Sequence, residues 1–461
     1  MTAGTGSRFI RGLVQSRSGS WTPRKRLGWF GAGIALIAAV SLTDLAVGHS
    51  LPVSSTPSPD ANLPTAPGQV TITFNEPPDP GLSAMAVVDA QGDSVTRGTV
   101  AAVPGAPDTL RVALTALRHG LYTVRWRAVS SVDGHVAAGT FVFGVDTAPP
   151  ATAPAGVQPS SSVAPVSPAA IIGRWLLYAG LFVLLGAAFV GNLIYRTPPP
   201  VTLPLSAVAW LASAVGLILV VGLQVADAGA TPIEMFGTSI GRAAILRAAP
   251  LLVAGIAITA QWSQRRQSVR ALGTVGIAAA AALLADAATS HAAGSAASHV
   301  AGHGSHVDVF IQWLHVTAAG TWLGGLFALL FSLRGLPGEQ TSRIARRFAI
   351  SAMIGIAVVA STGLLRAISE IGSLANLATT DFGHLLVAKS ALLLILAFLG
   401  AINHFRNVPA AGHYLRPLRR IASMELIVAA TVLLLSASLV NVAPPAQASA
   451  TSASPFAIAA K

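Results

Sequence analysis

Histidine carries most of the metal chemistry open to this chain. There are eleven histidines, five methionines and no cysteine, so disulfides, thiolate zinc sites and thiolate Cu(I) sites are excluded. His49 follows Ala46-Val47-Gly48 at the end of an apolar run. Processing just before it would expose a free α-amine beside an imidazole, a bidentate chelate for one metal ion. Asp133 and His135 flank Gly134, and residues two apart on an extended chain point to the same side. That carboxylate and imidazole form half of a metal site, and the amine and ring of a processed His49 would complete it. A nitrogen-rich, tetragonal set with one carboxylate favours Cu(II). Asp-Gly is equally a common turn and histidine a common surface residue, so the tripeptide alone does not choose between metal ligation and a plain loop. Glu76 is the further polar residue of note in the same stretch.

Two more groupings lie downstream. The segment SHAAGSAASHVAGHGSH holds His291, His299, His303 and His306, diluted by Gly, Ala and Ser. It reads as a weak metal collector or as a low-complexity loop. Next, in HVDVFIQWLHVTAAGTWLGGL, Asp308, Gln312, His315, Ala319 and Trp322 recur at 4-3-4-3 spacing and share one helical stripe. Aligned carboxylate, amide and imidazole groups would line a path for an ion or proton; the alternative is a polar cluster joining helices. Lys389 and Glu425 interrupt later apolar runs, as do Arg242 and Arg247 earlier. Each marks either a pathway or a side chain that snorkels to the nearer interface.

The elements around these residues follow from composition. The chain is 53% hydrophobic and 10% charged, against about a quarter charged in soluble proteins, which makes it a membrane protein. Residues 1–48 pair a basic start (Arg8, Arg11, Arg17, Arg24, Lys25, Arg26) with the apolar GWFGAGIALIAAVSL and small residues before His49. This pattern predicts a secretory signal, or else an uncleaved anchor; either would export the chain from His49 onward. Residues 49–147 alternate with period two in QVTITF, TLRVAL, LYTVRWRAV and TFVFGV, predicting an all-β antiparallel sandwich. Residues 148–170, rich in Pro, Ala and Ser, read as a linker.

Residues 171–443 hold eight apolar runs at about 171–195, 205–226, 240–261, 271–287, 308–333, 347–368, 384–404 and 421–441. They predict an all-α eight-helix transmembrane bundle. Alternate connections carry Arg196, then Arg265, Arg266 and Arg270, then Arg334, Arg343, Arg346 and Arg347, then Arg406, Arg416, Arg419 and Arg420, while 227–239, 288–307 and 369–383 have neither Lys nor Arg. By the positive-inside rule the arginine loops are cytoplasmic. Residues 49–170, the histidine-rich loop and the 444–461 tail then lie on the outer side of the plasma membrane. The net charge of +12 is therefore topology, and nucleic acid is not a partner.

HSLPVSSTPSPDANLPTAPGQVTITFNE and GLYTVRWRAVSSVDGHVAAGTFVFGV resemble the CopC family of exported copper-binding proteins. The resemblance implies an immunoglobulin-like sandwich with Cu(II) ligands at His49, Asp133 and His135 and Glu76 nearby. A Met-rich Cu(I) segment found in some members has only Met85 to match it. DVFIQWLHVTAAGTWLGGL, TTDFGHLLVAKSALLLILAFLGAINH and LRRIASMELIVAATVLLLSASLVNVAPP resemble the multi-spanning CopD family. A CopC–CopD fusion implies copper captured outside and moved across the plasma membrane. The resemblance fixes no path residues; the path read from residue types and spacing takes in His291, His299, His303, His306, Asp308, His315 and Lys389. An exported copper donor or acceptor protein is an expected kind of partner. A membrane-anchored copper chaperone without transport is the alternative, and a haem-type redox protein using His315, His384 and His404 a third. No nucleotide loop, nucleophile elbow or zincin helix is present, so no enzyme is expected.

Overall fold

In the computed structural model the described residues are 51–131, 134, 136–149, 160–163, 167–264, 266–289 and 305–440. Nine strands occur among them: β1 (Pro52–Thr56), β2 (Asn62–Leu63), β3 (Gln69–Phe74), β4 (Ala84–Val88), β5 (Thr96–Val103), β6 (Ala106–Leu114), β7 (Gly120–Val129), β8 (Val136–Val145) and β9 (Ser160–Val163). They form two sheets, ordered β1-β3-β6-β5 and β2-β8-β7-β4, with β9 also pairing β8. All neighbours are antiparallel except the short β2–β8 pair. β9 comes from the expected linker, so that segment is not structureless throughout: its serines pair with the free edge of β8.

Period-two alternation sets the core, because every second side chain of each strand faces the opposite sheet. Val70, Ile72 and Phe74 of β3, Leu110, Val112 and Leu114 of β6, Val124 and Trp126 of β7, and Phe141, Phe143 and Val145 of β8 are all buried in one cluster. Tyr122 stacks on Phe143 with ring centroids 5.5 Å apart. Its hydroxyl donates to the Arg118 carbonyl at 2.9 Å and accepts from the Arg118 amide at 3.0 Å. The strand start is thereby pinned while the phenol's polar end is satisfied.

Eight helices are long and apolar enough to cross a membrane: α1 (Pro168–Tyr195), α2 (Thr202–Ala228), α3 (Ser239–Ser263), α4 (Val269–Ala288), α5 (His306–Ser332), α6 (Gly338–Ile371), α7 (Asp381–Ala410) and α8 (Leu415–Leu439). They match the eight expected runs but extend beyond most of them. Arg343, Arg346 and Arg347 sit on the first turns of α6, and Arg416, Arg419 and Arg420 on those of α8, not in loops. Helix satisfies its own backbone polar groups, so it continues through the interface while arginine stems reach for water.

α1 is the most enclosed helix. It meets α5 closely: a Cβ on Gly186 would collide with the Gly324–Gly325 backbone, and one on Gly324 with the Phe182 carbonyl. Leu394 and Phe398 of α7 are 72% and 67% exposed, an outer surface suited to lipid chains. The chain is a multi-pass membrane protein.

Candidate metal centre

Three stretches of sequence converge at one corner of the sandwich. The Leu51 amide donates to the Asn75 side-chain oxygen at 2.8 Å, and the Asn75 amide donates back to the Leu51 carbonyl at 2.9 Å. This reciprocal pair fixes the chain two residues after His49 beside the residue that precedes Glu76. Glu76 is buried, at 5% exposure, and accepts from the Ser130 hydroxyl at 3.3 Å. Pro78 bridges Ser130, and the Ser131 amide and hydroxyl both donate to the Pro77 carbonyl, at 3.0 and 2.8 Å. The Gly134 amide then donates to the Ser130 carbonyl at 3.0 Å. Gly134 has φ +78°, a left-handed conformation that favours glycine. His49, Asp133 and His135 themselves lie outside the described residues. The structure brings together their immediate chain neighbours, with the buried Glu76 carboxylate among them.

Of the expected path, His291, His299 and His303 also lie outside the described residues. His306 is exposed at the start of α5, and Asp308 and Gln312 are half-buried. The His315 Nδ1 lies 2.9 Å from the Thr362 hydroxyl of α6, and its ring touches the Cα side of Gly363. Lys389 of α7 and Arg366 of α6 are within electrostatic reach of His315, and Glu370 within that of Lys389. Arg366 is ion-paired with Glu370 one turn on. At 1.5 Å per residue, His315 and Lys389 are each about 12–14 Å from the helix ends nearest the sandwich. One polar cluster thus spans three helices in that half of the bundle. Sequence reading missed Arg366 and Glu370, although their four-residue spacing at the end of an apolar run was a legible signal.

Two further polar groups lie between helices, the first half-buried and the second buried. Tyr178 of α1 donates to Asp286 of α4, which pairs with Arg247 of α3 at 2.9 Å. Arg247 is therefore held by a counter-ion instead of snorkelling. Glu425 of α8 is 3% exposed and accepts from the Asn403 side chain of α7; Asn407 in turn donates to Asn403 at 2.7 Å. Asn403 opens a π-helical turn, Asn403–Asn407. Of the histidines weighed as haem ligands, His384 lies 2.9 Å from the Ala378 carbonyl and His404 is about 30 Å further along α7.

The family model of the CopC domain matches residues 52–146, and that of copper resistance protein D (CopD) matches residues 342–439. This chain joins a CopC domain to a CopD domain. The CopC match begins three residues after His49 and takes in Glu76, Asp133 and His135. The CopD match covers α6 to α8, with Arg366, Glu370, Lys389 and Glu425, and leaves His315 outside. Copper transport protein CutJ of Bacillus subtilis (strain 168) is 27% identical over 391 residues, 80% of this chain and 70% of that protein. Among solved structures, CopC from Methylosinus trichosporium OB3b is 30% identical with a TM-score of 0.20, over 21% of this chain and 94% of its own. PcoC, a methionine-rich copper resistance protein from Escherichia coli, is 27% identical with a TM-score of 0.19, over 21% of this chain and 98% of its own.

Proposed function

We propose that this protein captures Cu(II) outside the cell on its CopC domain and carries copper across the plasma membrane through its helical bundle. The observation that supports capture most directly is the convergence of Leu51, Asn75, Glu76, Ser130 and Gly134 at one corner of the sandwich. There a mature His49 would supply an amine and an imidazole, and Asp133 and His135 a carboxylate and a second imidazole, the donor set Cu(II) prefers. The name of the CutJ relative and the CopD match favour transport. The connections 227–239, 288–307 and 369–383, which carry no Lys or Arg, lie on the same side as the CopC domain by chain alternation, which favours an outer location for that domain. The bundle catalyses no reaction in this reading; it lowers the barrier to moving a cation.

The test is copper accumulation by cells that express the full chain, with N-terminal sequencing of the mature protein and Cu(II) titration of its CopC domain. Loss of binding in Asp133→Ala/His135→Ala, together with loss of accumulation, supports the reading. Unchanged capture in that variant overturns it. One observation favours the alternative of an anchored copper chaperone: Lys389 is within electrostatic reach of His315, and a cation there opposes passage of a bare divalent ion. His315→Ala separates the two, abolishing accumulation under transport and leaving it unchanged under sequestration.

A further inference from the structure

The CopC domain does not hang free on its linker; it is bonded to the ends of α2 and α3. Asp79 is 7% exposed, and its Oδ2 accepts from the Ser239 amide at 2.9 Å and the Ser239 hydroxyl at 2.7 Å. Ser239 is the first residue of α3, where unpaired amides and the helix dipole favour a carboxylate. The Asp79 Oδ1 also accepts from the Gly81 amide at 2.9 Å, which sets the carboxylate's direction. On the neighbouring helix, Arg127 of β7 donates to the Asp227 carbonyl at 2.8 Å and to the Leu82 carbonyl at 3.0 Å. Asp227 is in the last turn of α2, the negative end of its dipole. A cation and an anion of the sandwich thus each meet the helix terminus of opposite sign.

Between these polar contacts lies an apolar seam. Leu82 and Val129 of the sandwich and Ala228, Met235 and Ile240 of the bundle are buried together, with Val136, Val225 and Ala230 packed against them. Gly134 lies on the same seam: a Cβ there would stand 3.2 Å from both the Gln224 Cγ and the Ile240 Cδ1. Its sequence neighbours are the two proposed copper ligands.

We propose that Asp79 and Arg127 form a latch that keeps the CopC domain docked on α2 and α3, and that copper is handed to the bundle from this docked state. This deepens the reading above and rests on it for the identity of the cargo. A domain held in place presents its metal at one fixed mouth, whereas a merely tethered one must find that mouth by diffusion. Asp79 and Arg127 act here as positioning residues, with no contact to the metal.

The absence of cysteine makes the test direct. Spin labels on Gln91→Cys, in an exposed turn of the sandwich, and Leu374→Cys, 80% exposed between α6 and α7, report the distance between the two parts without copper. The full chain in bilayers is expected to give one narrow distance. Asp79→Asn and Arg127→Met, made separately in case one impairs folding, are expected to broaden it. They should also lower copper accumulation, while Cu(II) affinity of the CopC domain stays unchanged. A broad distribution in the unmodified chain overturns the latch, and so does full accumulation in both broadened variants. A narrow distance that the variants broaden, in a chain that binds no copper, keeps the latch and overturns only its cargo.

Discussion

Glu76 is a carboxylate shut away from water, and a buried carboxylate is costly unless it has hydrogen-bond donors or a cation to serve. The Ser130 hydroxyl is one such donor, and the negative charge of Glu76 would favour a copper ion held by the flanking segments. Groups just outside a metal's ligands commonly set affinity by 10–100-fold. Glu76→Gln keeps the shape and removes the charge; its Cu(II) affinity is expected to fall about tenfold, measured by competition titration of the CopC domain. Unchanged affinity would make Glu76 a packing residue. In the bundle, Thr362→Val keeps the side-chain shape and removes the hydroxyl that lies 2.9 Å from His315 and donates to the Val358 carbonyl at 2.6 Å. Accumulation in that variant is expected to fall partially, in contrast to complete loss in His315→Ala, as read by cellular copper after a fixed exposure.

Two elements show how differently the two halves are held together. The sandwich relies on withdrawing large apolar groups from water, and Phe141 on β8 is fully buried at 0% exposure. Phe141→Ala is expected to lower the domain's stability by about 3–5 kcal/mol, seen as an earlier urea midpoint with little change in slope. The bundle has no such driving force, since lipid is as apolar as its side chains, and close backbone approach replaces it. Gly324 faces the Phe182 carbonyl across the α1–α5 contact. Gly324→Leu must separate these helices, and a large loss of monodisperse protein on heating in detergent is expected, whereas Leu394→Ala on the lipid face of α7 should change little. The strands and spans were legible beforehand because both write a period into the sequence, two for a sandwich face and an unbroken apolar length for a span. The polar bonds between elements write none: Asp79 and Ser239 are 160 residues apart, and neither is unusual where it stands.

At the scale of the molecule, eight crossings place both ends of the bundle on the side of the CopC domain. Cysteines introduced at Ser373 and at Gln267, on opposite faces of the bundle, are expected to react with an impermeant thiol reagent in intact cells at 373 and only after lysis at 267. The reverse pattern would invert the orientation and turn capture into an internal event. The lipid-facing belt and the docked sandwich together leave the helix ends and connections that bear most of the arginines as the other face. Charge therefore orients the molecule while apolar length anchors it.

From sequence alone came the alternating strands with their buried faces and the eight spans, because each is a local pattern repeated within a few residues. Only the tertiary structure decided that Leu51, Glu76 and Ser130 share one corner, that His315 meets Thr362 near Lys389 and Arg366, and that the sandwich is seated on α2 and α3. Those pairings join residues tens to hundreds of positions apart. Their energy comes from burial and from paired charges that exist only once the helices and sheets have packed.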